Sequence, residues 1–134
     1  MKVKFAVVIA GVGFAIAAPV VVAHHSFAAE YDANRPVTLQ GVVTRIEWTN
    51  PHAHLFIDVK DDKGNTNNWK FELAGPRVLV QCGWRPASIK IGDTVTIDGA
   101  RAKDDSLTAN ARVVTLADGR VVSAGSSGGD LPPR

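Results

Sequence analysis

Residues 42–59, VVTRIEWTNPHAHLFIDV, constrain the fold more than any other stretch of the chain. Apolar and polar side chains alternate on both sides of Thr49-Asn50-Pro51, and a period of two marks strands with one buried face. An Asn-Pro step favours turn initiation, so the stretch reads as two antiparallel strands folded back on each other. In the second strand, His52 to Lys60, the apolar face is Ala53, Leu55, Ile57 and Val59. The other face carries His52, His54, Phe56 and Asp58. The first strand is expected from Val37 to Trp48. Val37 and Leu39 point inward, Gly41 interrupts, and Val42, Thr44, Ile46 and Trp48 resume the alternation on the opposite parity. A glycine at such a phase change predicts a bulge that bends a long strand.

The remaining elements follow from similar patterns. Asp61-Asp62-Lys63-Gly64-Asn65 has the composition of a hairpin connection. A third strand is expected over about Thr66 to Leu73, with Trp69, Phe71 and Leu73 inward. Between Gly75 and Ile89, Pro76 suits a first helical position, and Val78, Leu79 and Cys82 make a short apolar stripe that Gly83 ends. Trp84 and Ile89 are expected to plug the interior. Lys90-Ile91-Gly92-Asp93 predicts a turn, followed by strands over Thr94 to Ala102 and Thr108 to Leu116. A short strand over Arg120 to Ala124 follows the Asp118-Gly119 turn. Three strands, one short helix and two strands is the order of the OB-fold, a five-stranded Greek-key barrel. The fold expected is therefore all-β, an OB-like barrel over residues 37–124, with a small β-sandwich as the alternative. Ser, Gly and Pro dominate the end of the chain, so residues 125–134 are expected to be a disordered tail.

The N-terminus has the anatomy of an export signal. Lys2 and Lys4 precede an apolar run, Pro19 breaks it, and Val21 and Ala23 suit the −3 and −1 positions of a cleavage site. Residues 1–23 are thus expected to be removed, leaving a periplasmic or secreted protein with an N-terminal arm over residues 24–36. An uncleaved anchor is the rival, since Phe5 to Ala23 is a run of 19 uncharged residues, close to spanning length. The whole chain of 134 residues has 15 basic and 13 acidic side chains. Loss of Lys2 and Lys4 balances the two signs, which leaves no electrostatic footprint for nucleic acid. Cys82 is the only cysteine, so no internal disulfide forms, and a buried small hydrophobe is the expected role.

All four histidines fall in two places: His24 and His25 at the expected mature start, His52 and His54 at the hairpin turn. Cleavage after Ala23 gives His24 a free α-amine beside its imidazole, a bidentate nitrogen pair, and His25 adds another nitrogen. Nitrogen-rich tetragonal sets suit Cu(II), which tops the divalent affinity order. His52 and His54, two residues apart on a strand, leave the same face about 7 Å apart at Cα. These four histidines are the candidate metal ligands, and copper the candidate cofactor. The commonplace alternative is that histidines after Asn-Pro and at exposed strand positions only cap and decorate. Glu47, Asp58 and Glu72 are expected on outward faces with nothing pairing them at acid/base spacing. Trp48, Trp69 and Trp84 are expected in the core. No nucleophilic triad or phosphate-binding glycine loop occurs, so a binding module is expected rather than an enzyme.

The run HHSFAAEYD at residues 24–32, together with EWTNPH at residues 47–52, resembles a bacterial exported family known only as a domain of unknown function. The resemblance extends to the tryptophan of the third strand, Gly92-Asp93 before the fourth, and the TANA stretch at residues 108–111. It implies a small periplasmic β-barrel and no particular activity. The function expected is a periplasmic β-barrel binding module with copper held by the N-terminal and turn histidines. The alternative is a metal-free OB-type module for a peptide, glycan or partner protein.

Overall fold

The computed structural model describes residues 27–125. After a helical turn over residues 27–30, the elements are β1 (Tyr31–Glu47), β2 (His54–Lys60), β3 (Thr66–Glu72), a short helix α1 (Pro76–Gln81), a 3-10 turn (Pro86–Ser88), β4 (Thr94–Ala102), β5 (Thr108–Thr115) and β6 (Val121–Ser123). The sheet order is β3-β2-β1-β4-β5-β6, and a second pairing joins β3 to β5. The first five strands therefore close into a ring, the all-β barrel that the strand and helix order predicts. That closing pair is parallel and short, with Lys70, Phe71 and Glu72 opposite Thr108, Ala109 and Asn110. Closure leaves few free strand edges. Among the described residues no helix is long and apolar enough to cross a membrane.

The interior is built from the alternating positions. Leu55, Ile57 and Val59 of β2, Trp69 and Phe71 of β3, Val95 and Ile97 of β4, and Ala109, Ala111 and Val114 of β5 are buried together. α1 closes one mouth: Pro76 starts it, Leu79 is fully buried, and Cys82 caps it. Trp84 plugs the same end with its Nε1–H donating to the Ser123 carbonyl at 2.7 Å. Trp69 and Trp84 are core residues as expected, whereas Trp48 is half-buried, its ring 6.1 Å from that of Trp84. Cys82 is likewise half-buried, a free thiol packed against the core. The tight turns occur where glycine was expected to permit them, with Gly64, Gly92 and Gly119 at positive φ.

Three local expectations need correction. The parity change in β1 lies between Val43 and Arg45, where the register against β2 shifts, and not at Gly41. Val43 is in the core and Val42 is exposed, the reverse of the expected assignment. Gly41 serves a different purpose: a Cβ there would lie 2.5 Å from the Asp58 carbonyl oxygen, so β1 crosses β2 too closely for any side chain. Second, β1 begins at Tyr31, six positions before Val37, because Tyr31 pairs with Ala102 of β4 and the chain shifts register before Pro36. Third, His52 and Ala53 precede β2 rather than start it. Residues 1–26, including the expected signal, His24 and His25, and residues 126–134 of the expected tail lie outside the described residues.

Candidate functional site

The turn between β1 and β2 is held from two sides. The Asn50–Pro51 bond is cis, and the Thr49 hydroxyl donates to the His52 carbonyl at 3.2 Å. The chain leaving β3 packs against this turn, with Ala53 N–H donating to the Ala74 carbonyl and Leu73 N–H to that of Ala53. Gly75 permits the approach, since a Cβ there would lie 2.6 Å from the Pro51 carbonyl oxygen.

This packing sets His52 beside Glu72. The imidazole Nδ1 lies 2.8 Å from Glu72 Oε1, and the glutamate side chain is only 12% exposed. The second carboxylate oxygen is also engaged, because the Tyr31 hydroxyl donates to Oε2 at 2.6 Å. Burial, and then the hydrogen bond and charge of Glu72, raise the Tyr31 phenol above its ordinary pKa and keep it a donor. Phe27 packs on Tyr31 with ring centroids 5.6 Å apart. Lys103 ties down the turn over residues 27–30, through its N–H to the Glu30 carbonyl and its ammonium to that of Ala28.

His54 occupies the next outward position. It pairs in register with Glu47 on β1 and Glu72 on β3, so the three side chains form one row across three strands. Its Nδ1 is 3.6 Å from Glu47 Oε2, beyond hydrogen-bonding distance, and is buried without a hydrogen-bond partner. Burial, followed by the charge of Lys70, lowers the pKa of His54 from its ordinary 6.5. The neighbouring row is Arg45, Phe56 and Lys70. The Arg45 guanidinium lies 3.7 Å from the centre of the Phe56 ring and 3.3 Å from Glu47. Phe56 thereby shields this patch under a cation, a contact that stabilises aromatic-guanidinium pairs at half-exposed sites.

The fold thus brings His52 and His54 to one outer face, each turned towards its own carboxylate. Among the described residues, no group of three or more His, Cys, Asp or Glu side chains is arranged to hold a metal ion. His24 and His25 lie outside the described residues. The outward carboxylates have partners of other kinds: Glu72 joins Tyr31 to His52, and Glu47 faces both Arg45 and His54. Outward parity marks Glu47, His54 and Glu72 as a row; the bond from Tyr31 to Glu72 depends on closure of the ring. A cavity of 680 Å³ lies elsewhere, at the far end of the same hairpin between Gln40, Asp58, Lys60 and Thr94.

No curated protein matches the chain. A family model does match, over residues 12–111, which takes in β1 to β4, the turn histidines and half of β5. With most of its length so matched, the chain belongs to the family of unknown function DUF6152.

Proposed function

We propose that the mature protein is a periplasmic β-barrel binding module, not an enzyme, that holds one Cu(II) ion between its processed N-terminus and the hairpin turn. His24 supplies an amine and an imidazole, His25 and His52 supply further nitrogens, and His54 lies beside them. The observation that supports this reading is the continuous contact from Tyr31 through Glu72 to His52. It roots the N-terminal segment beside the turn. His25 precedes Tyr31 by six positions, a distance of at most about 20 Å even for fully extended chain. The helical turn over residues 27–30 shortens it further.

Copper chemistry follows from the donor set. Imidazole and amine nitrogens in a tetragonal arrangement favour Cu(II) over Zn(II) or Mg(II), and the module binds without needing a substrate cleft at the histidines. Titration of mature protein with Cu(II), followed by electron paramagnetic resonance, tests the proposal. The expected result is one tight, nitrogen-rich tetragonal signal that loses a nitrogen coupling in His52→Ala. Absence of such a signal, or an identical spectrum from His52→Ala, overturns it. A metal-free reading draws on the 680 Å³ cleft at the far end of the hairpin, whose mixed lining of Gln40, Asp58 and Lys60 beside Leu39, Val42 and Val59 suits a peptide or glycan. Under that reading, partners captured from periplasm are unaffected by chelator.

A further inference from the structure

We infer that the cleft at the far end of the hairpin takes an extended segment of another polypeptide, which adds to the edge of β1 as a further strand. The inference narrows the metal-free reading of this cleft to one class of ligand and rests on that reading. The copper proposal, at the opposite end of the hairpin, is independent of it. β1 has two neighbours in the sheet. β4 pairs with it over residues 36–42, and β2 only from Val42 onward, where the last partner is Asp58. Below that pair the two strands part, and the cleft of 680 Å³ opens between them. Among the described residues no strand pairs with the flank of residues 38–41 that faces it.

Strand alternation decides which backbone groups line the cleft. Val43 N–H donates to the Asp93 carbonyl, and the Val43 carbonyl accepts from Gly92 N–H, so Val43 turns its backbone towards β4. Bonding direction alternates along a strand. Gly41 and Leu39 therefore also bond towards β4, while Thr38 and Gln40 turn their N–H and C=O groups to the cleft. On the opposite wall, Asp61 N–H bonds across the hairpin to Asn65, which by the same alternation turns Lys60 to the cleft. The groups of Thr38 and Gln40 recur about 6.8 Å apart, the repeat of an extended peptide. Such a peptide answers each carbonyl with an N–H and each N–H with a carbonyl; a sugar offers hydroxyls without that repeat. Main-chain bonds give an added strand its affinity, and alternate side chains its selectivity. Apolar side chains on one face of the segment meet half-buried Leu39 and Val59. At the rim, Asp58 already accepts from Asn68 at 2.7 Å, whereas exposed Lys60 is in none of the ion pairs among the described residues. A carboxylate on the segment complements it.

The test uses mature protein with chelator present and two probes. One is the peptide acetyl-Glu-Val-Thr-Val-Thr-Val-Glu-amide, whose sequence reads the same in either direction; the other is chitohexaose. Amide exchange in ¹H–¹⁵N spectra reads the edge before any probe is added. Thr38 and Gln40 are expected to exchange at least about tenfold faster than Leu39 and Gly41, and the peptide to slow them towards their neighbours. Gln40→Pro removes one N–H facing the cleft and no bond to β4, a change that strand edges tolerate. It is expected to weaken peptide binding about 5- to 100-fold. Gln40→Val loses the same side chain but keeps the N–H, and is expected to stay within about threefold of the wild type. Equal protection of all four amides in the free protein overturns the inference, as does peptide binding that Gln40→Pro leaves unchanged. If Gln40→Pro does not fold, the wild-type exchange pattern with and without peptide decides. Association of two copies through this edge, seen by sedimentation and lost in Gln40→Pro, also overturns it. Chitohexaose binding here in place of the peptide sinks the peptide assignment and keeps the metal-free reading; a cleft that takes neither probe sinks both.

Discussion

At Gly41 the chain has no room for a side chain, and at His54 it has no partner for a proton. Gly41 has ordinary backbone angles; what it provides is space, since a Cβ would press on the Asp58 carbonyl at 2.5 Å and on Ile57 Cδ1 at 3.1 Å. Backbone cannot swing aside as a side-chain tip can, and overpacking of this kind costs roughly 1–3 kcal/mol. Gly41→Ala is expected to lose about that much stability in urea unfolding, and an unchanged midpoint would show that the strands can separate without penalty. The His54 effect has a sign that follows from its environment. Burial lowers its pKa in the folded chain, with Lys70 adding to the shift and Glu72 and Glu47 opposing it. The unfolded chain, with imidazole near 6.5, therefore takes up a proton first as the pH falls. Stability attributable to His54 is complete above 6.5 and declines through and below it, until the folded ring also protonates. In metal-free protein, urea midpoints at pH 7.5 and 5.5 should differ less in His54→Phe than in the wild type.

Among the elements, periodicity located β2, β3, β4 and β5 within a residue or two, because each has one face buried and a clear phase. The turns were equally legible, since Gly64, Gly92 and Gly119 adopt the positive φ that their neighbours in sequence imply. The bulge in β1 was misplaced by two to three residues. Gly41 draws attention in a sequence, whereas the shift between Val43 and Arg45 depends on pairing with β2 and leaves no compositional mark. The site was legible only in part for the same reason. Outward parity put His52 and His54 on one face, but the link from Tyr31 to Glu72 spans 41 positions and exists only once β3 meets β5. The plug formed by α1 and the following turn was visible as a change of character after Gly75, and it bears on stability. Trp84 is 1% exposed and its indole N–H satisfies the Ser123 carbonyl at the end of β6. Trp84→Phe leaves that carbonyl unpaired, which costs about 1–3 kcal/mol, and removes ring volume beside Trp48. A combined loss of about 2–4 kcal/mol is expected in thermal or urea unfolding; a loss below about 0.5 kcal/mol would mean that the hydrogen bond and the packing at this mouth are dispensable.

For the molecule as a whole, the barrel brings two distant parts of the chain together, and the copper proposal makes that junction depend on where the chain begins. β1 runs from Tyr31, beside Glu72, to Glu47, beside His54, so both ends of one strand meet the same outer face. This is possible because β1 curls around the ring and pairs with β2 along one half and β4 along the other. The amine of His24 becomes a ligand only if cleavage falls after Ala23; a single additional residue separates the amine from the imidazole and turns the amine into a peptide nitrogen. Mature protein starting at His24 is therefore expected to bind Cu(II) at least about tenfold more tightly than protein carrying one extra N-terminal alanine, a difference of about 1.4 kcal/mol. Binding to the folded state also stabilises it. Free Cu(II) at a hundred times its dissociation constant contributes about 2.7 kcal/mol, which for a domain of this size raises the melting temperature by roughly 10–20 °C. The same excess of Cu(II) should raise the melting temperature of the extended protein by several degrees less, and that of His52→Ala less than the wild type's as well. Equal shifts in the authentic and extended proteins would mean that the amine takes no part, and that the two ends of β1 share a face without sharing an ion.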